Sequence, residues 1–167
     1  NYNIDFSYDE LAGLSTNKAF EYLLKKHDVS FTKDDLIILV KQKQQYVRKL
    51  INLELCPIDG LSKFLELASK KFRLCIVSSG SSLSINAALN KLGYTSYFDP
   101  IISIEDVKLS KPSSEGFKLA LKTTSFAAEQ AVIFEDSSAG FQAAKNAEID
   151  YIDVNLINWH ELYQKII

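Results

Sequence analysis

Apolar residues recur along this chain at two different spacings, and the change between them falls near Pro57. Before it, Leu11, Leu14, Ala19, Phe20, Leu23 and Leu24 fall at helical intervals. A second helical run, 33–52, carries Leu36, Ile37, Leu39, Val40, Tyr46, Val47, Leu50 and Ile51. Ser15 or Thr16 caps the first helix by accepting an otherwise unpaired N–H, and Thr32 opens the second. Asp34 and Asp35 suit the positive end of that second helix, and Arg48 and Lys49 its negative end. After Pro57, short apolar runs alternate with helical ones. Strands are predicted at 72–77, 101–104, 131–134 and 151–154, and helices at 61–70, 82–92, 115–122, 139–147 and 159–166. Gly93 stops the second of these helices. The run 72–77 is nearly continuous in apolar residues, as a strand covered on both faces requires. The alternation predicts an α/β fold with a doubly wound parallel sheet, residues 57–167, preceded by a small all-helical lobe, residues 1–56.

Composition narrows the class without naming a function. Apolar residues make up 47% of the 167, enough for a sizeable core, and the net charge of −2 with no basic run argues against nucleic acid as partner. The run Lys41-Gln42-Lys43-Gln44-Gln45 reads as a solvated helix face. Two cysteines are too few for a disulfide framework or a zinc site: Cys75 reads as a small core residue, and Cys56 as packing at the junction. No apolar stretch reaches the roughly 18 residues of a membrane span, and no signal peptide is visible, so no membrane partner and a cytoplasmic location are expected. His27 and His160 read as surface residues without a ligand-like partner, and Trp159 as packing the last helix. The sequence starts at Asn1 and holds no methionine, which makes a missing N-terminal segment an expectation.

Candidate chemistry sits in three segments placed after strands or in loops, where open parallel sheets bind ligands. Ser78-Ser79-Gly80-Ser81-Ser82 joins a strand to a helix N-terminus, which presents free N–H groups to a phosphate; read alone it is equally a serine-rich turn with a cap at Ser81 or Ser82. Lys111 precedes Pro112, which restricts it to extended geometry and holds its amine in a loop; read alone it is a surface lysine. Glu135-Asp136 ends an apolar run, and two acids there need a cation or hydrogen bonds. A hard ion such as Mg²⁺ suits them, though one acid also suits a helix N-cap.

Together these residues resemble the haloacid dehalogenase superfamily, in its branch with a helical cap that includes the β-phosphoglucomutases. Ser78 matches the second motif. Lys111 in Ser110-Lys111-Pro112-Ser113-Ser114-Glu115-Gly116-Phe117 matches the third, usually Gly-Lys-Pro-x-Pro-Asp-x-Phe. Glu135-Asp136-Ser137-Ser138-Ala139-Gly140 matches the fourth, and Tyr97-Phe98-Asp99 resembles the segment before the second strand. The resemblance implies a Rossmann-like core with residues 1–56 as a partial cap. It also implies a Mg²⁺-dependent phosphatase acting on a small phosphorylated metabolite through an aspartyl-phosphate. Implied roles are phosphate binding by Ser78, Ser79, Gly80 and Lys111, catalysis by Lys111 and Ser78, metal binding by Asp136 and Glu135, and substrate choice by the cap residues Gly13, Leu14, Ser15, Thr16 and Asn17.

The sequence departs from the family in three ways. Its first motif, Asp-x-Asp-Gly on the first core strand, is absent, and with it the nucleophile; Asp5 does not replace it. The third motif carries Ser110, Ser114 and Glu115 where Gly, Pro and Asp are usual. Thr16 and Gln42 stand where β-phosphoglucomutases carry cap cations, which favours a phosphatase over a phosphomutase. These 167 residues alone are therefore expected to be inactive, a central strand short, and N-terminally truncated. The rival readings are a non-catalytic phosphate-binding or regulatory module and a phosphomutase of the same branch. A dehalogenase needs no metal, and a receiver-like domain carries its acids early with no helical lobe in front.

Overall fold

The computed structural model describes residues 4–11 and 14–165. Three helices come first: α1 (Tyr8–Leu11), α2 (Thr16–Lys26) and α3 (Lys33–Glu54). Ser15 caps α2, its hydroxyl accepting the Lys18 N–H at 3.4 Å. Thr32 and Asp35 cap α3 reciprocally: Thr32 Oγ1 accepts the Asp35 N–H at 3.2 Å, and the Asp35 carboxylate accepts the Thr32 N–H at 2.8 Å. The helix runs on to Glu54, so Arg48 and Lys49 lie more than a turn before its end and do not serve the dipole as expected. Arg48 Nη1 is buried without a hydrogen-bond partner among the described residues. Helix α2 packs on α3, and α3 packs on a helix of the α/β part.

That part alternates as the apolar pattern predicts: α4 (Leu61–Ala68), β1 (Leu74–Val77), α5 (Ser82–Leu92), β2 (Phe98–Ile102), α6 (Glu115–Thr124), β3 (Val132–Glu135), α7 (Ser138–Ala147), β4 (Asp150–Asp153) and α8 (Trp159–Gln164). The helix packed by α3 is α5. Gly93 closes α5 at a φ of 73°, a left-handed conformation that costs glycine little. All strand pairing is parallel. β1 pairs with β2 (Leu74 opposite Phe98, Val77 opposite Ile102) and β3 with β4 (Val132 opposite Asp150, Glu135 opposite Asp153).

The parallel strands form two separate pairs, with no ladder joining them among the described residues. Each strand therefore has one unpaired edge. This revises the expectation of a fully covered strand at 72–77: β1 is half-buried along its length, and Val132 and Phe134 on β3 are exposed. Full burial needs neighbours on both sides, and β1 has one.

Two apolar clusters hold the halves. Phe64, Leu65, Ala68, Leu89 and Tyr94 pack with Leu74, Ile76, Phe98 and Ile101 around β1 and β2. Phe117, Ala143, Ala144, Ala147 and Ile149 pack with Val77 and Ile133. Helix α6 ties them together, touching β1, β2 and α7. Gly116 makes that approach possible, since a Cβ there would lie 2.7 Å from Val77 Cγ1. Trp159 packs α8 as expected, its ring centroid 5.1 Å from that of Phe64 and 5.9 Å from that of Phe134.

Smaller expectations change. Cys56 is exposed rather than packed at a junction, and Cys75 is half-buried, with burial pushing its thiol up. His160 is on the surface but does have a partner, its Nε2 lying 3.0 Å from Asp59 Oδ2. No helix among the described residues is long and apolar enough to cross a membrane.

Candidate active site

Parallel strands and the loops that follow them bring the three chemical segments to one place. Beyond β1, the Ser78 N–H donates to the Ile102 carbonyl at 2.9 Å and extends the ladder by one residue. The Ser78 hydroxyl accepts the Gly80 N–H at 3.0 Å. That contact uses a lone pair, so the hydroxyl proton is left to donate to a ligand. The approach is close: a Cβ on Gly80 would lie 3.2 Å from Ser78 Oγ.

The rest of the loop is stitched down. Ser81 caps α5 by accepting the Ser84 N–H at 3.3 Å. The Ile104 N–H donates to the Gly80 carbonyl at 3.1 Å, and the Glu105 carboxylate accepts the Ser82 N–H at 2.9 Å. Both come from a short 3-10 turn, Ile104–Asp106. Asp106 fastens that turn by accepting the Ser103 hydroxyl at 2.6 Å and the Ser103 N–H at 2.8 Å, bonds that hold its carboxyl below the usual range. The N–H of Gly80, one of the residues expected to bind phosphate, is thus already engaged, as is that of Ser82.

Lys111 sits on the loop between that turn and α6. Glu115, the first residue of α6, accepts the N–H groups of Lys108 and Leu109, each at 2.9 Å, and these bonds hold its carboxyl below the usual glutamate range. The loop closes with the Ser113 N–H on the Ser110 carbonyl at 3.0 Å, and the Lys111–Pro112 peptide is cis. The lysine is no surface residue: its side chain is 13% exposed, and its ammonium lies 2.5 Å from the Glu135 carboxylate and 5.1 Å from the centroid of the Phe117 ring.

Glu135, at the end of β3, is 6% exposed at its side chain and also accepts the Ser137 hydroxyl at 2.7 Å and the Ser137 N–H at 3.2 Å. Burial pushes its carboxyl up, but Lys111 and Ser137 outweigh burial and hold it below the usual value. Gly140 makes room for it, because a Cβ at that position would overlap the Glu135 carboxylate. Asp136 points to the exposed side, and its carboxyl is pushed up by partial burial and by the neighbouring Glu135. Two adjacent oxygen donors suit a hard divalent cation that keeps much of its water. Among the described residues they are joined by no third acid, histidine or cysteine at metal-binding range.

Ser78, Ser79, Ser110, Lys111 and Ser113 line one small cleft of about 10 Å³ over the apolar side chains of Val77, Ile102, Ile104 and Phe117; Gly80, Glu135 and Asp136 do not line it. Residues 14–17 do not line it. Ser15 caps α2, and Thr16 accepts Lys43 Nζ at 3.3 Å within the helical part. Gly13 lies outside the described residues. From sequence alone Glu105 has no role, Ser137 and Gly140 are marked only as members of the fourth motif, and Glu115 only as a departure from the third. Glycine at the third position of α7, four residues after Asp136, was the available signal.

The profile of the haloacid dehalogenase-like hydrolases matches residues 5–154. The chain belongs to that family. Among curated relatives of this haloacid dehalogenase-like chain, the fructose-1-phosphate phosphatase YqaB of Escherichia coli is 29% identical over 155 residues, covering 90% of the chain and 80% of the relative. A phosphorylated carbohydrates phosphatase of Thermotoga maritima is 31% identical over 121 residues, covering 72% of the chain. The chain spans only 56% of that second relative's length. In fold, the chain is similar to the β-phosphoglucomutase of Clostridium difficile, with a TM-score of 0.78 at 23% identity over 98% of the chain and 83% of the other protein.

Proposed function

We propose that this chain binds and transfers the phosphoryl group of small phosphate monoesters, phosphorylated sugars foremost, as part of a Mg²⁺-dependent phosphatase. The observation that carries the reading is the largely buried Lys111–Glu135 pair, whose lysine lines one cleft with Ser78 and Ser79. A lysine held this far from water is costly unless it serves a fixed anionic centre. The phosphatase names of the two relatives support the substrate class.

Ser78 donates its free proton to a phosphoryl oxygen. Lys111 balances the negative charge that gathers on the phosphoryl group, and Glu135 keeps the ammonium aimed. Asp136, with Glu135, would hold Mg²⁺, which lowers the repulsion between an anionic nucleophile and the phosphate. Residues 1–56 act as a cap over a core formed by 57–167. The attacking aspartate belongs to the family motif that this sequence does not carry. The unpaired edges of β1 and β3 support a further strand, set between them and ending beside Ser78 and Glu135, as its source.

The test uses an aryl phosphate ester and inorganic phosphate. The 167 residues are expected to bind phosphate, to lose that binding about tenfold or more in K111A, and to hydrolyse nothing with or without Mg²⁺. Supplying an Asp-x-Asp strand in the same polypeptide is expected to bring Mg²⁺-dependent turnover. Hydrolysis by the 167 residues alone would overturn this account of the nucleophile. Phosphate binding that persists with no turnover after the strand is supplied would favour the non-catalytic module, a reading the missing motif already recommends.

A further inference from the structure

The two partners of the Lys111–Glu135 pair come from different loops, and helix α7 is bonded to the chain beside each of them. At its start, the Ser137 hydroxyl and N–H donate to the Glu135 carboxylate at 2.7 and 3.2 Å, and Gly140 leaves that carboxylate its space. Beyond Gly140, about 9 Å further along the helix axis, Asn146 Nδ2 donates to the Pro112 carbonyl at 3.0 Å. That carbonyl belongs to a peptide unit whose other end, the Ser113 N–H, donates to the Ser110 carbonyl at 3.0 Å. The unit is held at both ends, and Lys111 lies inside the turn it closes. Ser110 and Ser113, which bound that turn, line the cleft with Lys111. The Asn146 amide is itself oriented: its Oδ1 accepts Gln142 Nε2 at 3.0 Å, one helical turn back, which leaves Nδ2 to face Pro112. Helix preference does not call for asparagine here, since alanine is the better helix former.

We propose that Asn146 is a positioning residue for Lys111: from α7 it fixes the Pro112–Ser113 peptide, and with it the level from which the lysine side chain sets out toward Glu135 and the cleft. The purpose of this device rests on the phosphate reading of Ser78 and Lys111; its geometry rests on the hydrogen bonds. Asn146 acts through the loop and touches no reacting group. Both Asn146 and Pro112 are exposed, so water replaces their bond at little cost in stability. Water does not tie the loop to α7, and what is lost is alignment. With Asn146, one helix sets the carboxylate and the lysine together. Without it, the loop keeps its internal bonds and the Lys111–Glu135 pair, but not this backbone tie.

The experiment makes two measurements on the intact chain, N146A and N146L. One is the rate at which Lys111 is acetylated by trace acetic anhydride, compared with Lys118 and Lys122, both exposed on α6. The other is the affinity for inorganic phosphate, by calorimetry. Thermal melting accompanies both. In wild type Lys111 is expected to react slowest of the three, because its ammonium is paired and its side chain is 13% exposed. Both variants are expected to speed Lys111 about threefold or more against the other two, and to weaken phosphate binding about threefold to tenfold, the scale of one misaligned charge-assisted hydrogen bond. Melting is expected to change little. Alanine favours the helix, so N146A keeps the test open should N146L not fold. Equal acceleration at all three lysines would mean general loosening and would overturn the proposal. So would a Lys111 rate within twofold of wild type, or faster labelling with unchanged phosphate affinity. A wild type that binds no phosphate would instead remove the phosphate reading, while the Lys111 rate would still decide whether Asn146 places the lysine.

Discussion

Gly140 shows how one missing side chain decides the site. Alanine normally stabilises a helix relative to glycine by about 1 kcal/mol. Here the added methyl group would occupy the space of the Glu135 carboxylate, which lies against the third residue of α7. Glu135 must then leave Lys111 or push the helix away. G140A is expected to destabilise by about 1–3 kcal/mol, the usual cost of overpacking, and to weaken phosphate binding together with K111A rather than additively to it. Melting curves and calorimetry of G140A, K111A and the double variant measure both. A stabilised G140A would show that the pair tolerates the methyl group and that the carboxylate is not held where Lys111 needs it.

The loop from β2 to α6 illustrates an element organised by carboxylates rather than by apolar contacts. Asp106 ties down one end and Glu115 the other, each through hydrogen bonds to backbone N–H groups. Both carboxyls are held below their usual ranges. A depressed folded-state value means that the stabilisation is present above the unfolded value and is lost as pH falls through the folded one. The Lys111 loop is therefore expected to stay closed at neutral and mildly acidic pH and to loosen only below the ordinary glutamate range. NMR shifts of the Lys108 and Leu109 amides are expected to titrate together there, and E115Q to abolish that titration. Titration of those amides at or above the ordinary glutamate value would contradict the two-bond tether.

At the scale of the whole molecule, the divided sheet is the dominant feature. β1–β2 and β3–β4 each bring an apolar cluster of their own, bridged by α6, by the aromatic contacts of Phe64, Phe134 and Trp159, and by the Lys111–Glu135 pair. A strand with one neighbour leaves its other backbone edge to water. Native-state hydrogen exchange is expected to separate the amides of β1 and β3 into two populations, slow where they face β2 and β4, and fast on the opposite edge. Uniform protection along both strands would show that the edges are covered in solution.

Much of this was legible in the amino-acid order, because it depends on local rules. The helical and strand periodicities, the caps at Ser15, Thr32 and Ser81, the stop at Gly93 and the family motifs around Ser78, Lys111 and Glu135 are each set within a few neighbouring residues. What lay outside local reach were the relations between segments. The sequence alone does not reveal that Lys111 is buried against Glu135 across 24 residues, that Gly140 clears space for that carboxylate, or that Glu105 reaches 23 residues back to α5. Nor does it show that strands with parallel-sheet character stand in two pairs, since a strand's burial is fixed by how many neighbours it finds and not by its own apolar content. Local chemistry chose the elements and the reactive residue types; only packing in three dimensions decided which charges meet, and which end of which helix is already satisfied.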